Sequence, residues 1–115
     1  MDKTFYMDID GRKQPVYRSL IEWLFGVADI CCDSYDHETV KFAFYNTGHL
    51  CQVSTSEGSR YMKVEVMDGC DSRKEDILGW LKTYLLNGLA ELGYEAEIVM
   101  MNGWFNAKLK VKGDD

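Results

Sequence analysis

Basic residues are in short supply: 13 Lys and Arg stand against 19 Asp and Glu, a formal charge of −6. A surface of that sign repels phosphate backbones and anionic lipid, which argues against direct nucleic-acid or membrane-surface binding. No apolar run reaches the roughly 18 residues that a membrane span requires. The longest, residues 23–28, includes a glycine. Residues 1–6 carry no basic segment leading into an apolar one, so a cytoplasmic location is expected. A single proline excludes a Pro-rich linker or adaptor tail. The glycine-rich phosphate and dinucleotide loops, the Gly-x-Ser-x-Gly elbow and His-Glu-x-x-His are all missing. No catalytic residue, cofactor or metal ligand is therefore assigned, and the chain reads as non-enzymatic.

Cysteine is present without a pattern. Cys31, Cys32, Cys51 and Cys70 form no Cys-x-x-Cys pair, and with His37 and His49 they match no structural-zinc spacing. They are expected to be reduced and mostly buried thiols. The two histidines read as ordinary surface or strand-end residues, because neither has a nucleophile or cleft to serve.

The 115 residues suit one domain with one hydrophobic core, and an aromatic share of 13% argues against disorder. Residues 1–14 form an N-terminal arm in which 4–9 alternate weakly, with Phe5, Met7 and Ile9 on one side. Residues 113–115 read as a frayed tail. Pro15 opens a first helix carrying Tyr17, Leu20, Ile21, Leu24, Ala28 and Cys31 at helical spacing, its end blurred within 29–34. Residues 39–46, 50–55 and 60–67 alternate as three strands, divided by turns at Thr47-Gly48 and Glu57-Gly58. Two-residue loops would set Phe42 against Val53 and Phe44 against Cys51, then Val53 against Met62 and Cys51 against Val64, with every apolar face on one side.

Ser72-Arg-Lys-Glu75 fits a capping box that starts a second helix. Its stripe is Ile77, Leu81, Tyr84, Leu85, Leu89 and Leu92, and Gly93 fits the left-handed position that ends it. Gly79 and Gly88 sit within the helix at a cost of about 1 kcal/mol each relative to alanine. Close packing on a neighbour is one reason to retain them. Asn102-Gly103 is the preferred dipeptide of a tight hairpin. Pairing outward from it sets Met100 against Phe105, Ile98 against Ala107 and Ala96 against Leu109. The opposite face then pairs Glu97 with Lys108 and Glu95 with Lys110, which supports the register independently. The predicted order, (β)-α-β-β-β-α-β-β, is an α+β fold: an antiparallel sheet with both helices packed on one face.

Two apolar surpluses are candidates for a protein-interaction surface. Val99, Met101 and Trp104 share the charged face of the last hairpin, unless residues 4–9 cover them. Trp23, Phe25 and Ile30 lie outside the stripe of the first helix, where a wide core seam is the other reading. Asp29, Asp33, Asp36 and Glu38 form an acidic run, read as a solvated loop or as a docking segment for a basic protein surface.

The order α-β-β-β-α-β-β over residues 15–112 resembles the type III secretion chaperone fold, a shape shared by the bacterial sensory-transduction-regulator family. The resemblance lies in topology, small size and acidity, and no signature motif accompanies it. It implies a homodimer that binds another protein without doing chemistry, as a chaperone, adaptor or regulator. A small acidic, phage-type inhibitor of a nucleic-acid-binding host enzyme and a small-molecule-binding domain are the alternatives.

Overall fold

The computed structural model describes residues 7–9, 11–14, 16–36, 38–56, 58–67 and 73–111. The expectations placed on Phe5, Pro15, His37, Glu57, Cys70, Ser72 and the tail 113–115 lie outside these residues. Strand β1 (Met7–Ile9) turns back through Gly11 into β2 (Arg12–Gln14). Gly11 takes a φ of 79°, a left-handed backbone that side chains resist. Then come α1 (Val16–Val27), β3 (Ile30–Tyr35), β4 (Thr39–Phe44), β5 (Leu50–Ser54), β6 (Tyr61–Val66), α2 (Arg73–Leu92), β7 (Tyr94–Met100) and β8 (Trp104–Val111). Beyond α1 the strands build one antiparallel sheet in the order β3-β4-β5-β6-β8-β7. Helix α2 carries the chain from β6 to the far edge at β7, and β8 returns to fill the place between them. This is the expected α+β class with two added strands, β2 and β3.

Alternation along the strands puts Val40, Phe42, Phe44, Val53, Met62 and Val64 on one face, all buried. Phe42 meets Phe25 of α1 edge-on at 6.5 Å, while Phe44 lies 5.8 Å from Trp80 and 6.4 Å from Tyr84 of α2. Both helices therefore cover the same side of the sheet, in a molecule 22 Å deep. Tyr17 of α1 crosses the layer and donates its hydroxyl to the Val53 carbonyl at 2.7 Å. Burial pushes that phenol well above the ordinary tyrosine range.

The N-terminal hairpin completes this core. Met7 and Ile9 are fully buried, β1 touches β8, and the Asp8 amide donates to the Ser59 carbonyl at 3.0 Å. The helices meet through Gly88. A Cβ built there would sit 2.6 Å from Trp23 Cε3 and 2.9 Å from Leu20 Cδ1, so glycine is what lets α1 approach α2. Gly79 has nothing within 4 Å of such a Cβ, and packing does not explain it. Gly93, at φ 95°, ends α2 as its sequence suggests.

The β7–β8 register matches the sequence reading at every pair, from Met100↔Phe105 to Glu95↔Lys110. Lys110 Nζ lies 3.5 Å from Glu95 and 3.9 Å from Glu97. The β4–β5–β6 meander needs a correction. Phe42 pairs with Cys51 and Val40 with Val53, and Val53 pairs with Val64 and Cys51 with Val66. Each pairing is offset by two residues from the two-residue-loop register, because the connections over residues 45–49 and 55–60 are centred between 46 and 47 and between 58 and 59, one residue away from the expected dipeptides. An even offset keeps every side chain on its expected face.

The stretch read as a helix end and acidic loop is largely β3. Ile30 pairs with Phe44 and Tyr35 with Val40, with a bulge between Cys32 and Ser34. The strand is an exposed sheet edge, so its sequence lacks an apolar alternation.

Candidate functional site

Among the described residues, no helix is long and apolar enough to cross a membrane, and no three His, Cys, Asp or Glu side chains gather for a metal. The described residues offer an exposed apolar patch and surface clefts.

The sheet face opposite the helices has no second layer among the described residues. Over β4, β5, β6 and β8 it is polar: Gln52 donates to Glu65 at 3.1 Å, and Lys63 lies 3.8 Å from Glu65. Near the β7–β8 turn it becomes apolar. Val99 is 58% exposed, Met101 47% and Met67 42%. Trp104, opposite Glu65, is half-buried, and the Lys63 ammonium stands 4.8 Å over its ring. The β1–β2 hairpin does not cover Val99 and Met101. Met67 joins this patch because it continues the outward-facing residues of β6, and its amide bonds the Leu50 carbonyl at 2.8 Å. Sequence reading missed it as the last residue of an expected strand.

The surplus on α1 is largely used within the chain. Trp23 is half-buried over Gly88, and its indole N–H donates to Glu91 at 3.0 Å. Phe25 packs edge-on against Tyr35 at 6.2 Å as well as against Phe42. Ile30 belongs to β3 and packs against the core.

The four acids of residues 29–38 do not form one site, although all are exposed. Asp33 lies at the β3 bulge, and Asp36 begins the turn where its amide bonds Thr39 at 2.8 Å. Glu38 borders a shallow polar recess on the open sheet face with Gln52, Ser54 and Lys63. Asp29 lies on the helix side, where it helps to line a cleft of about 490 Å³.

That cleft is assembled from three segments. The link after α1 supplies Asp29, whose carbonyl accepts from the Tyr45 amide at 3.1 Å and is thereby tied to the end of β4. Phe44 ends β4 and Asn46 follows in the turn, where the Gly48 amide returns to the Phe44 carbonyl at 2.8 Å. Helix α2 supplies Trp80, Tyr84 and Asn87, spaced four and three residues apart on one helix face. Thr83 also borders the cleft, its hydroxyl already donated to Gly79 at 3.1 Å. Phe44 is 4% exposed and forms the floor. Tyr84 lies near parallel to it, at 28°, and Trp80 near perpendicular, at 79°. The rings make an aromatic corner beside a carboxylate and two carboxamides. The i, i+4, i+7 spacing on α2 was a usable sequence signal, but Phe44 and Tyr84 read equally well as plain core.

The cysteines also need correction. Cys51 is buried, but Cys31 and Cys32 are exposed on β3. Desolvation pushes the Cys32 thiol up, with smaller contributions from Cys31 and Asp33. The Cys31 thiol in turn raises the Tyr45 phenol, chiefly through their hydrogen bond. Iodoacetamide on the native protein at neutral pH is expected to alkylate Cys31 and Cys32 and spare Cys51. A raised pKa means less thiolate, so Cys32 should react more slowly than an unperturbed thiol and keep gaining rate at higher pH. Peptide mapping after timed quenching checks both points; native labelling of Cys51 at the rate of Cys31 would contradict the burial.

Comparison with known protein families, with curated proteins and with solved structures finds no match for this chain.

Proposed function

We propose that this chain is a non-catalytic protein-binding module of the cytoplasm, working as a homodimer in the manner of a chaperone, adaptor or regulator. Its subunits associate through the apolar end of the open sheet face. The observation that carries this reading is the exposure of Val99, Met101 and Met67 beside Trp104 on one uncovered face. Contiguous apolar surface of this kind marks association sites, and methionine adapts its shape to a facing surface.

A second copy is the occupant that fits best. Beside the patch run an acidic column on β7, Glu95 and Glu97, and a basic column on β8, Lys108 and Lys110, directly opposite one another. A two-fold axis along the hairpin lays each copy's acids over its partner's bases. The face is thus self-complementary, as a two-fold interface must be. The resemblance to the chaperone fold would imply the same assembly, although the β1–β2 hairpin and strand β3 depart from that pattern.

Light scattering from low to high micromolar concentration tests the proposal. The mass should approach twice 13.3 kDa. The double variant Val99→Asp, Met101→Asp should be monomeric yet folded, with the melting temperature that the parent shows at concentrations where it too is monomeric. A parent protein that stays monomeric throughout, or a dimer indifferent to the two aspartates, would overturn it.

A further inference from the structure

We propose that the cleft beside α2 binds an organic cation, an alkylammonium or guanidinium group, with Asp29 as counter-charge and Phe44, Trp80 and Tyr84 as the aromatic wall. The proposal is independent of the open sheet face, because the cleft lies on the helix side of the molecule.

The chemistry of the lining selects the ligand. One carboxylate and no base borders the cleft. Among the described residues no cation pairs with Asp29. An anion entering there meets Asp29 and the field of a chain carrying −6. A neutral apolar ligand gains from the rings but gives Asp29 nothing. A soft cation gains from both, because aromatic faces attract positive charge and the carboxylate neutralises it. Asn46 and Asn87 offer carboxamide oxygens to ammonium or guanidinium N–H groups.

The ring geometry suits this use. Tyr84 and Phe44 stack at 6.4 Å while Trp80 stands across Phe44 at 5.8 Å, so two differently oriented walls converge on one space. Trp80 already takes one cation: the Arg73 guanidinium carbon lies 5.8 Å from its ring centroid. Arg73 itself is not among the residues bordering the cleft, being about two helical turns from Trp80 toward the start of α2. Backbone hydrogen bonds fix the Asp29 and Phe44 segments that border the cleft.

Two matched pairs of probes test the idea on the full chain. Choline is compared with its neutral isostere 3,3-dimethylbutan-1-ol, and N-acetylarginine methylamide with its citrulline counterpart. Nitrogen-resolved NMR follows the Trp80 indole N–H and the side-chain amides of Asn46 and Asn87, with Trp23 and Trp104 as internal controls. Expected is saturable movement of the cleft signals by the cations, with each neutral probe at least about tenfold weaker. Asp29→Asn, a substitution at an exposed position, should weaken the cations about tenfold and the neutral probes hardly at all. Stronger binding of choline assigns the cleft to a small ammonium compound, and stronger binding of the arginine derivative assigns it to a side chain of a polypeptide. Neutral probes as strong as the cations, an Asp29→Asn variant that binds the cations as well as the parent does, or cleft signals that no probe moves would overturn the proposal.

Discussion

Ile9→Ala lowers the unfolding free energy by about 3 kcal/mol and the thermal midpoint by roughly 10 °C. Ile9 lies in a strand of only three residues, which has no stability of its own. Yet its side chain is fully buried, as is that of Met7. Truncating it removes the burial of three carbons and leaves a void among close-packed neighbours. Ile9→Val, which removes a single methylene, should cost about 1 kcal/mol. Calorimetry or denaturant titration of the pair checks the ratio. An Ile9→Ala protein that melts with the parent would show that the hairpin is an appendage and that the sheet and helices close without it.

Gly88→Ala and Gly79→Ala are the same substitution in the same helix, and their effects should have opposite signs. Each gains about 1 kcal/mol of intrinsic helix propensity. At Gly79 nothing opposes the gain, since an added Cβ meets no atom within 4 Å, and the protein should be stabilised by about 0.5–1 kcal/mol. At Gly88 the new methyl runs into the rigid ring of Trp23 at 2.6 Å and the fully buried Leu20 at 2.9 Å. Leu20 has no open space to retreat into, and displacing the half-buried Trp23 ring strains its indole bond to Glu91, so overpacking there should exceed the propensity gain, for a net loss of about 1–2 kcal/mol. Urea unfolding of both variants measures the difference. The companion variant Trp23→Leu with Gly88→Ala, which removes the blocking ring, should recover part of the loss. Two alanines that shift stability in the same direction would dismiss the close α1–α2 contact.

The sequence was most readable where geometry is local. Asn102-Gly103 fixes the β7–β8 turn, and every pair follows from it. The β4–β5–β6 faces were readable for a different reason: burying Phe42, Cys51, Val53 and Val64 together allows only even offsets. Which even offset is adopted depends on residues 45–49 and 55–60, whose turns carry no comparable signature. Strand β3 was hidden because an edge strand exposed on both sides need not alternate, and its bulge shifts the phase midway. The exposure of Val99 and Met101 was legible as a surplus on a charged face. The Asp29 cleft was not, because Asp29, Phe44 and Trp80 are neighbours only after the sheet and α2 have assembled. Trp23 misled for a related reason, since its partner Gly88 has no side chain to announce a contact.

The contact between β1 and β8 sets a time order on folding. A ribosome makes these strands nearly a hundred residues apart, yet Met7 and Ile9 are buried in the same core as Leu109. The Leu109 amide closes on the Arg60 carbonyl at 2.9 Å, and the β1–β2 hairpin settles against the same loop. Strand β6 likewise waits for β8, because β7 is synthesised first but lies farther out. The hairpin therefore has no finished surface to settle on until β8 has left the exit tunnel. Closure is a late, long-range event, and topologies of this kind fold slowly for their size. Until then Met7, Ile9 and the edge of β6 stay exposed, a window in which the nascent chain is open to pairing with other chains.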